Sequence, residues 1–473
     1  MSERIKNGLD VSFHPDSIAL VGASPTPGKL GHSILQSILE GGYQGRVFPV
    51  NPKGGEILGL QVFKSVKDIP GDVALAIFVI PAFLIPSSIK EFRLKKLKSA
   101  IVITAGFKES GEQGKKLGKE AVNSAKEIGT VMIGPNCAGV YSSSANLNAR
   151  LTTIRPTTKG GVSILSQSGA VFRILLTKSM DIDLGFSKSI STGNEEDLTS
   201  ADYLEYLGED NETSCIGLYL EGIQDGRRFL KVSRDVTRHK PIIVMKAGVG
   251  EAGIRATASH TGALTGSDQV FSSVCRQVGM VRVNDWDEMF STLMGFSDLE
   301  PPKGDGVGII TIGGGIGIEA SESCERSGLT VPKFSDYTTE CMAKVLPAIG
   351  SLYVNPVDVG MVPQDKFVET YRECVRLMLK DENIHSLIMS TVGHFHFPTE
   401  FKKMAIEARK TQPKPVVVYW IVTPDPLVKS AIKELRENKV PVYTSSRQAA
   451  IAIAALVKYT QYRNKLKERG DRY

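Results

Sequence analysis

The residue best suited to covalent chemistry in this chain is His260, set in Ala258-Ser259-His260-Thr261-Gly262-Ala263. Small neighbours leave an imidazole room to move and to accept a bulky substituent. The same setting also fits an exposed polar side chain, so two readings stand: a nucleophile, or a surface histidine. A carboxylate bonded to one ring nitrogen would fix the tautomer and free the other nitrogen to attack. Glu221 is placed to do this, because it directly follows the apolar run Ile216 to Leu220 and so falls at the carboxyl end of a strand. Its alternative is an exposed strand-end charge. A second pair, His394 and His396, alternates in His394-Phe395-His396-Phe397. With no cysteine or further histidine nearby, a structural role is expected there and no metal.

Three glycine-bearing turns, each between an apolar strand and a helical pattern, are suited to anions. The first runs from Gly22 to Gly31 after Ser17–Val21. The second is Ser166-Gln167-Ser168-Gly169 after Val162–Leu165, and the third is Gly313-Gly314-Gly315 after Val307–Ile312. At such turns the first helical N–H groups and the positive end of the helix dipole face outward, which favours phosphate. Ser168 would equally serve as a plain N-cap. The glycines at 22, 28 and 31 do not fit the dinucleotide pattern, and Lys53 stands near the end of the second strand where a dinucleotide enzyme would place an acid. That favours a ribose carrying a phosphate, as in coenzyme A or NADP.

These turns sit in a recurring alternation of apolar strand, small-residue ending and helix. In the first third the strand endings are Pro81-Ala82, Thr104-Ala105-Gly106 and Gly134-Pro135-Asn136. The pattern predicts an α/β chain of parallel, doubly wound sheets with ligands at the strands' carboxyl ends. Polar or proline-rich stretches at 156–161 and 301–306 divide it into expected domains 1–155, 156–300 and 301–473. The glycines at 248, 250 and 253 predict a loop carrying His260, with helix resuming near Ser267.

Composition is ordinary for a soluble protein: 473 residues, 41 % hydrophobic, 23 % charged, net charge +6. No block of Lys and Arg points to nucleic acid, no apolar run is long enough for a membrane span, and the N-terminus has no signal core. Six scattered cysteines without CxxC spacing are expected to be reduced thiols of a cytoplasmic protein.

The run from Lys246-Ala247-Gly248 to Ala258-Ser259-His260-Thr261-Gly262-Ala263-Leu264-Thr265-Gly266 resembles the phosphohistidine loop of the NDP-forming acyl-CoA synthetases, relatives of succinyl-CoA synthetase. Residues 21–24, 49–53, 79–82, 104–107 and 134–140 resemble that family's CoA-binding domain. The resemblance implies a Rossmann-like CoA-binding domain followed by two flavodoxin-like modules, the chain being the α subunit of an ADP-forming enzyme. It implies Gly22, Ser24 and Lys29 at the CoA phosphates and Lys53 near the nucleotide end. Thr104, Ala105 and Gly106 would line the pantetheine path, Pro81 would also belong to the CoA site, and Asn136 would sit near the thiol, although a turn role alone would also explain Asn136. His260 would be phosphorylated, Glu221 would hold it, and Ser168-Gly169 with Gly314-Gly315 would cradle the phosphoryl group. Ile316 and Glu319 depart from the family's usual continuation of the third turn.

The substrates implied are coenzyme A, inorganic phosphate and an acyl group shaped by side chains around Phe172 and Arg173. No room remains for an ATP-grasp domain, so ADP/ATP and Mg2+ are expected on a separate ATP-grasp β subunit in a hetero-oligomer, α2β2 being one such assembly. Two alternatives are a CoA-binding regulator without ligase activity and an NADP oxidoreductase. The first generally lacks the histidine; the second is opposed by the missing dinucleotide pattern.

Overall fold

The computed structural model describes residues 1–151, 158–261, 266–347, 353–393, 398–421 and 425–468, with the backbone alone for 258–261. The chain forms two compact units, 1–282 and 283–473. The first unit holds two main sheets. Strands β1 (Ser17–Val21) and β2 (Arg46–Val50) are followed by a small hairpin, β3 (Glu56–Ile57) and β4 (Leu60–Gln61). Then come β5 (Leu75–Phe78), β6 (Ser99–Val102) and β7 (Val131–Ile133). The main strands lie in the order β2-β1-β5-β6-β7, with every pair parallel. All five residues of β1 are buried, as a parallel strand covered on both faces requires.

The second sheet is built from β8 (Gly139–Ser142), β9 (Leu147–Arg150), β10 (Lys159–Ser166), β11 (Phe186–Ser191), β12 (Cys215–Leu220), β13 (Ile242–Lys246) and β14 (Val281–Val283). Its order is β14-β13-β12-β10-β11-β8-β9. The pairs of β10 with β11 and β12, and of β12 with β13, are parallel; β8 joins β11 and β9 antiparallel. The hairpin 139–150, expected in the first domain, is thus hydrogen-bonded into the second sheet. Gly139 allows the close approach at the hairpin's open end: its φ is +92°, and a Cβ there would lie 2.0 Å from the Ala149 carbonyl oxygen. One continuous apolar core links Leu9, Ile18 and Ile133 of the first sheet's layer to Leu165, Ile190 and Leu218 of the second. That shared core makes residues 1–282 one body. The N-terminal helix Glu3–Phe13 reinforces it: Arg4 donates twice to the Asp197 carboxylate, each at 3.0 Å, and once to the Thr130 carbonyl at 2.8 Å.

The second unit carries β15 (Val307–Thr311), β16 (Val357–Asp358), β17 (Ser386–Val392), β18 (Val416–Ile421) and β19 (Val442–Tyr443). These lie in the order β16-β15-β17-β18-β19, all parallel. The unit begins at 283, ahead of the expected boundary at 300. The helix Trp286–Asp298 buries Met289, Phe290 and Leu293, Phe296 packs edge-on against Tyr459 with ring centres 5.6 Å apart, and Tyr443 donates to the Ser291 carbonyl. Numbered within its own sheet and leaving β8 and β9 aside, each of the three sets of five strands runs 2-1-3-4-5. The order therefore reverses between β1 and β5, between β10 and β12, and between β15 and β17. Ligands of such sheets sit outside the carboxyl ends at these points.

One local expectation fails. The stretch after Gly248 is not wholly a loop, because Glu251–Thr261 is helical. Gly253 costs such a helix roughly 1 kcal/mol, but Glu251, Ala252, Arg255 and Ala256 are good helix formers, and Glu251 complements the dipole in the first turn.

Candidate functional site

In the first unit the carboxyl ends of the first and second sheets face one cavity of about 910 Å³. Val79, Ile80 and Pro81 reach it from the end of β5, Thr104 and Ala105 from β6, and Asn136, Cys137 and Ala138 from β7. From the second sheet come Gln167, Ser168 and Gly169 after β10, Gly193, Asn194 and Glu195 after β11, and Glu221 to Gln224 after β12. Of the residues singled out in the sequence, Pro81, Thr104, Ala105, Asn136, Ser168, Gly169 and Glu221 are gathered here.

Their backbones are held by cross-bonds between turns. Thr104 Oγ1 donates to the Ile80 carbonyl at 2.8 Å, and Asn136 N donates to the Thr104 carbonyl at 2.9 Å. Asn136 itself has φ +55°, the left-handed conformation that asparagine tolerates. Gly106 and Phe107 N–H both donate to Glu109 Oε1, at 2.6 and 3.1 Å. Ser168 is a true N-cap, accepting from Val171 N at 3.4 Å at the head of the helix Gly169–Asp181. Glu221 is 8 % exposed at the end of β12.

The remaining expected residues lie elsewhere. Gly22, Ser24, Lys29, Lys53 and Gly106 do not line the cavity, although Leu30, next to Lys29, does. Gly22 has φ +96°, and a Cβ there would lie 2.3 Å from the Val79 carbonyl oxygen, so only glycine lets β1 turn this close to β5. Ser24 Oγ accepts from Thr26 N at 3.2 Å. Lys29 and Lys53 are exposed past the ends of β1 and β2, cations within reach of solvent and of any phosphate bound there. Gly314 and Gly315 begin the helix Gly314–Arg326 of the second unit. A Cβ on Gly315 would meet nothing, and one on Gly314 would lie 3.3 Å from Asp358 Oδ2.

His260 lies within the helix Glu251–Thr261, but its side chain falls outside the described atoms, and His394 and His396 fall outside the described residues. Among the described residues no cluster of His, Cys, Asp and Glu is arranged to hold a metal ion. Phe172 is buried and stays out of the cavity, whereas Arg173 lines it.

Sequence reasoning missed the turn Thr192 to Glu196, which follows β11. Asn194 Nδ2 donates to Glu109 Oε2 at 2.6 Å, its Oδ1 accepts from Asn136 Nδ2 at 3.4 Å, its N–H donates to the Pro135 carbonyl at 2.9 Å, and its carbonyl accepts from Lys108 Nζ. It binds the turns after β6 and β7 to the second sheet. Burial raises the Glu109 pKa, but hydrogen bonds from Asn194, Gly106 and Phe107 outweigh it and hold the carboxyl below its ordinary value. Glu195, 3 % exposed, is pushed up by burial. Burial also drives the Cys137 thiol to about 12, which leaves it protonated and unreactive. At the end of β13, Lys246 donates to the Ala247 carbonyl at 3.0 Å, and burial lowers its pKa. The available signal was a run of polar residues directly after an apolar strand.

Known families match the chain in three segments: a CoA binding domain over 16–143, a succinyl-CoA ligase-like flavodoxin domain over 159–296 and a ligase-CoA domain over 307–467. The alpha subunit of acetate–CoA ligase (ADP-forming) II from Pyrococcus furiosus is 40 % identical over 95 % of this chain and 97 % of its own length. Acetate–CoA ligase (ADP-forming) I from Archaeoglobus fulgidus is 34 % identical over 97 % of this chain, which spans 65 % of that protein. Among solved structures, the dinucleotide-forming acetyl-coenzyme A synthetase 1 of Ca. Korarchaeum cryptofilum, in complex with phosphate and ADP, superposes with a TM-score of 0.89. It is 31 % identical, with coverage of 98 % of this chain and 99 % of that one. The chain belongs to the ADP-forming acyl-CoA synthetase family, within the succinyl-CoA ligase-like group, and matches the alpha subunits of its acetate–CoA ligases over nearly their whole length.

Proposed function

We propose that this chain is the α subunit of an ADP-forming acyl-CoA synthetase, interconverting acyl-CoA, phosphate and ADP with the free acid, CoA and ATP. The supporting observation is the cavity in which Thr104, Ala105 and Asn136, assigned to CoA, share space with the helix start Ser168-Gly169 and with Glu221. A thioester carbon near Asn136 and a phosphate at that helix start would be neighbours.

The chemistry balances in three steps. A phosphate oxygen attacks the thioester carbonyl, the C–S bond breaks, and CoA leaves as the thiol after taking a proton. A ring nitrogen of His260 attacks phosphorus of the acyl phosphate, the acyl O–P bond breaks, and the carboxylate leaves. Phospho-His260 then passes the phosphoryl group to ADP. Glu221 would hold the other ring nitrogen and stabilise the charge on the phosphorylated imidazole. Gly22, Ser24, Lys29 and Lys53 would bind the phosphate-bearing part of CoA, and Gly314-Gly315 a phosphate in the second unit.

ADP and Mg2+ would bind an ATP-grasp β subunit. Support comes from the relative called an alpha subunit over the same length and from the longer relative of which this chain spans 65 %. We read the three matched segments as three domains, near 1–155, 156–300 and 301–473. Among the described residues no helix is long and apolar enough to cross a membrane, and a cytoplasmic location is proposed. The test is to incubate the chain with labelled inorganic phosphate and a panel of acyl-CoA thioesters, alone and with its β subunit. Thioester-dependent, acid-labile and base-stable labelling that disappears in His260→Ala is expected. CoA binding without any labelling under either condition would instead support a regulator.

A further inference from the structure

Gln167, the first residue beyond β10, is committed at both ends of its side chain. Oε1 accepts from the backbone N–H of Glu221 at 2.6 Å and of Gly222 at 3.0 Å. Nε2 donates to the Gly222 carbonyl at 2.8 Å and to Ser200 Oγ at 3.3 Å. Two backbone donors on one oxygen fix which end of the amide is which. Its own N–H donates to the Tyr219 carbonyl at 3.2 Å. Behind it stands the buried Glu195, whose carboxyl accepts from Thr192 Oγ1 at 2.9 Å and from Ser200 Oγ and N at 2.6 and 3.1 Å, and is also hydrogen-bonded by Gln167.

The location explains the arrangement. β10 and β12 are neighbours where the strand order reverses, so their chains diverge as they leave the sheet. Residues 221 and 222 have passed the last paired residue of β12 on that side, Tyr219 opposite Ser166. The Gln167 amide supplies the acceptor and donor that the strand ladder no longer gives. We propose that Gln167 is a positioning residue for Glu221: by clamping the 221–222 backbone it sets the direction from which the Glu221 carboxylate meets the His260 imidazole. This rests on the proposed role of Glu221.

The test uses the full chain under the conditions in which the wild type labels, with acetyl-CoA and labelled inorganic phosphate. It compares Gln167→Met, Gln167→Glu, Glu221→Gln and the Gln167→Met/Glu221→Gln double variant. A misplacement of about 1 Å is enough to cost on the order of a hundredfold in rate. Gln167→Met is expected to slow labelling of His260 by about that factor while CoA affinity, measured by calorimetry, stays within about twofold. Gln167→Glu keeps the acceptor for both N–H groups but turns an oxygen toward the Gly222 carbonyl and the Glu195 carboxyl, and is expected to slow labelling at least as much. The double variant is expected to label no more slowly than Glu221→Gln alone, because Gln167 acts through that carboxylate. Wild-type labelling in both Gln167 variants, losses that multiply in the double variant, or CoA affinity that falls in step with the rate would overturn the proposal. If Glu221→Gln itself labels at full rate, the role of Glu221 fails, and that of Gln167 with it.

Discussion

Asn194→Ala tests whether the two sheets of the first unit jointly shape the proposed CoA site. The substitution removes the 2.6 Å bond from Nδ2 to Glu109 Oε2 and the 3.4 Å contact from Asn136. The backbone bonds of residue 194 to Pro135 and Lys108 remain. The longer contact is too weak to matter. A hydrogen bond to a charged group contributes about 1.5–3 kcal/mol, and the partial exposure of Glu109 argues for the lower end. If the turn 104–109 must then be ordered when CoA binds, about 1.5 kcal/mol appears as roughly tenfold weaker CoA affinity. Calorimetric titration with CoA near neutral pH reads this directly. Affinity within twofold of wild type, in a variant that unfolds at the wild-type temperature, would refute the reasoning. The companion Asn194→Asp places a second carboxylate against Glu109, and two such groups this close share a proton at low pH. Its deficit should therefore grow as pH rises from 5 to 8. Glu109 itself, held below its ordinary value, contributes stability above its unfolded pKa and loses it as pH falls through the folded value. In Asn194→Ala that acid-side loss should shift upward in pH.

Gly193→Ala should be more severe: φ is +58°, and its Cβ would lie 2.3 Å from the Pro135 carbonyl oxygen and 2.6 Å from that of Asn136. Destabilisation of about 2–4 kcal/mol in urea unfolding, with loss of CoA binding, is expected; an unchanged midpoint would contradict the close approach of these turns. In the second unit burial raises Asp298 to about 6, against the opposing pull of Ser297, Lys439, Arg409 and Arg436. Its contribution is fully present below the unfolded value near 3.8 and is lost as pH rises through about 6. Asp298→Asn should thus gain at most about 3 kcal/mol at pH 8 and little at pH 4, which thermal unfolding across that range can measure.

The features readable in the sequence are those with local causes. Strand, turn and helix follow from apolar periodicity and from the glycines that follow the strands, although the close approach of Gly22 to Val79 is a tertiary fact. Ser168 as a cap and Glu221 at a strand's end are also local facts. The helix Glu251–Thr261 was misread because three glycines outweighed the helix formers between them.

From the sequence by itself come the α/β alternation, the three glycine turns, the family, and the residues proposed to bind phosphate or attack it. Only the tertiary structure decided that the hairpin 139–150 crosses into the second sheet, that the carboxyl ends of two sheets open into one cavity, and that Asn194, Glu109 and Gln167 hold it. The physical reason is separation. Asn194 and Glu109 lie 85 residues apart in the chain, and Gln167 and Glu221 lie 54 apart. Hydrogen bonds of this kind depend on where packing places two turns, and nothing in either turn's own sequence announces its partner.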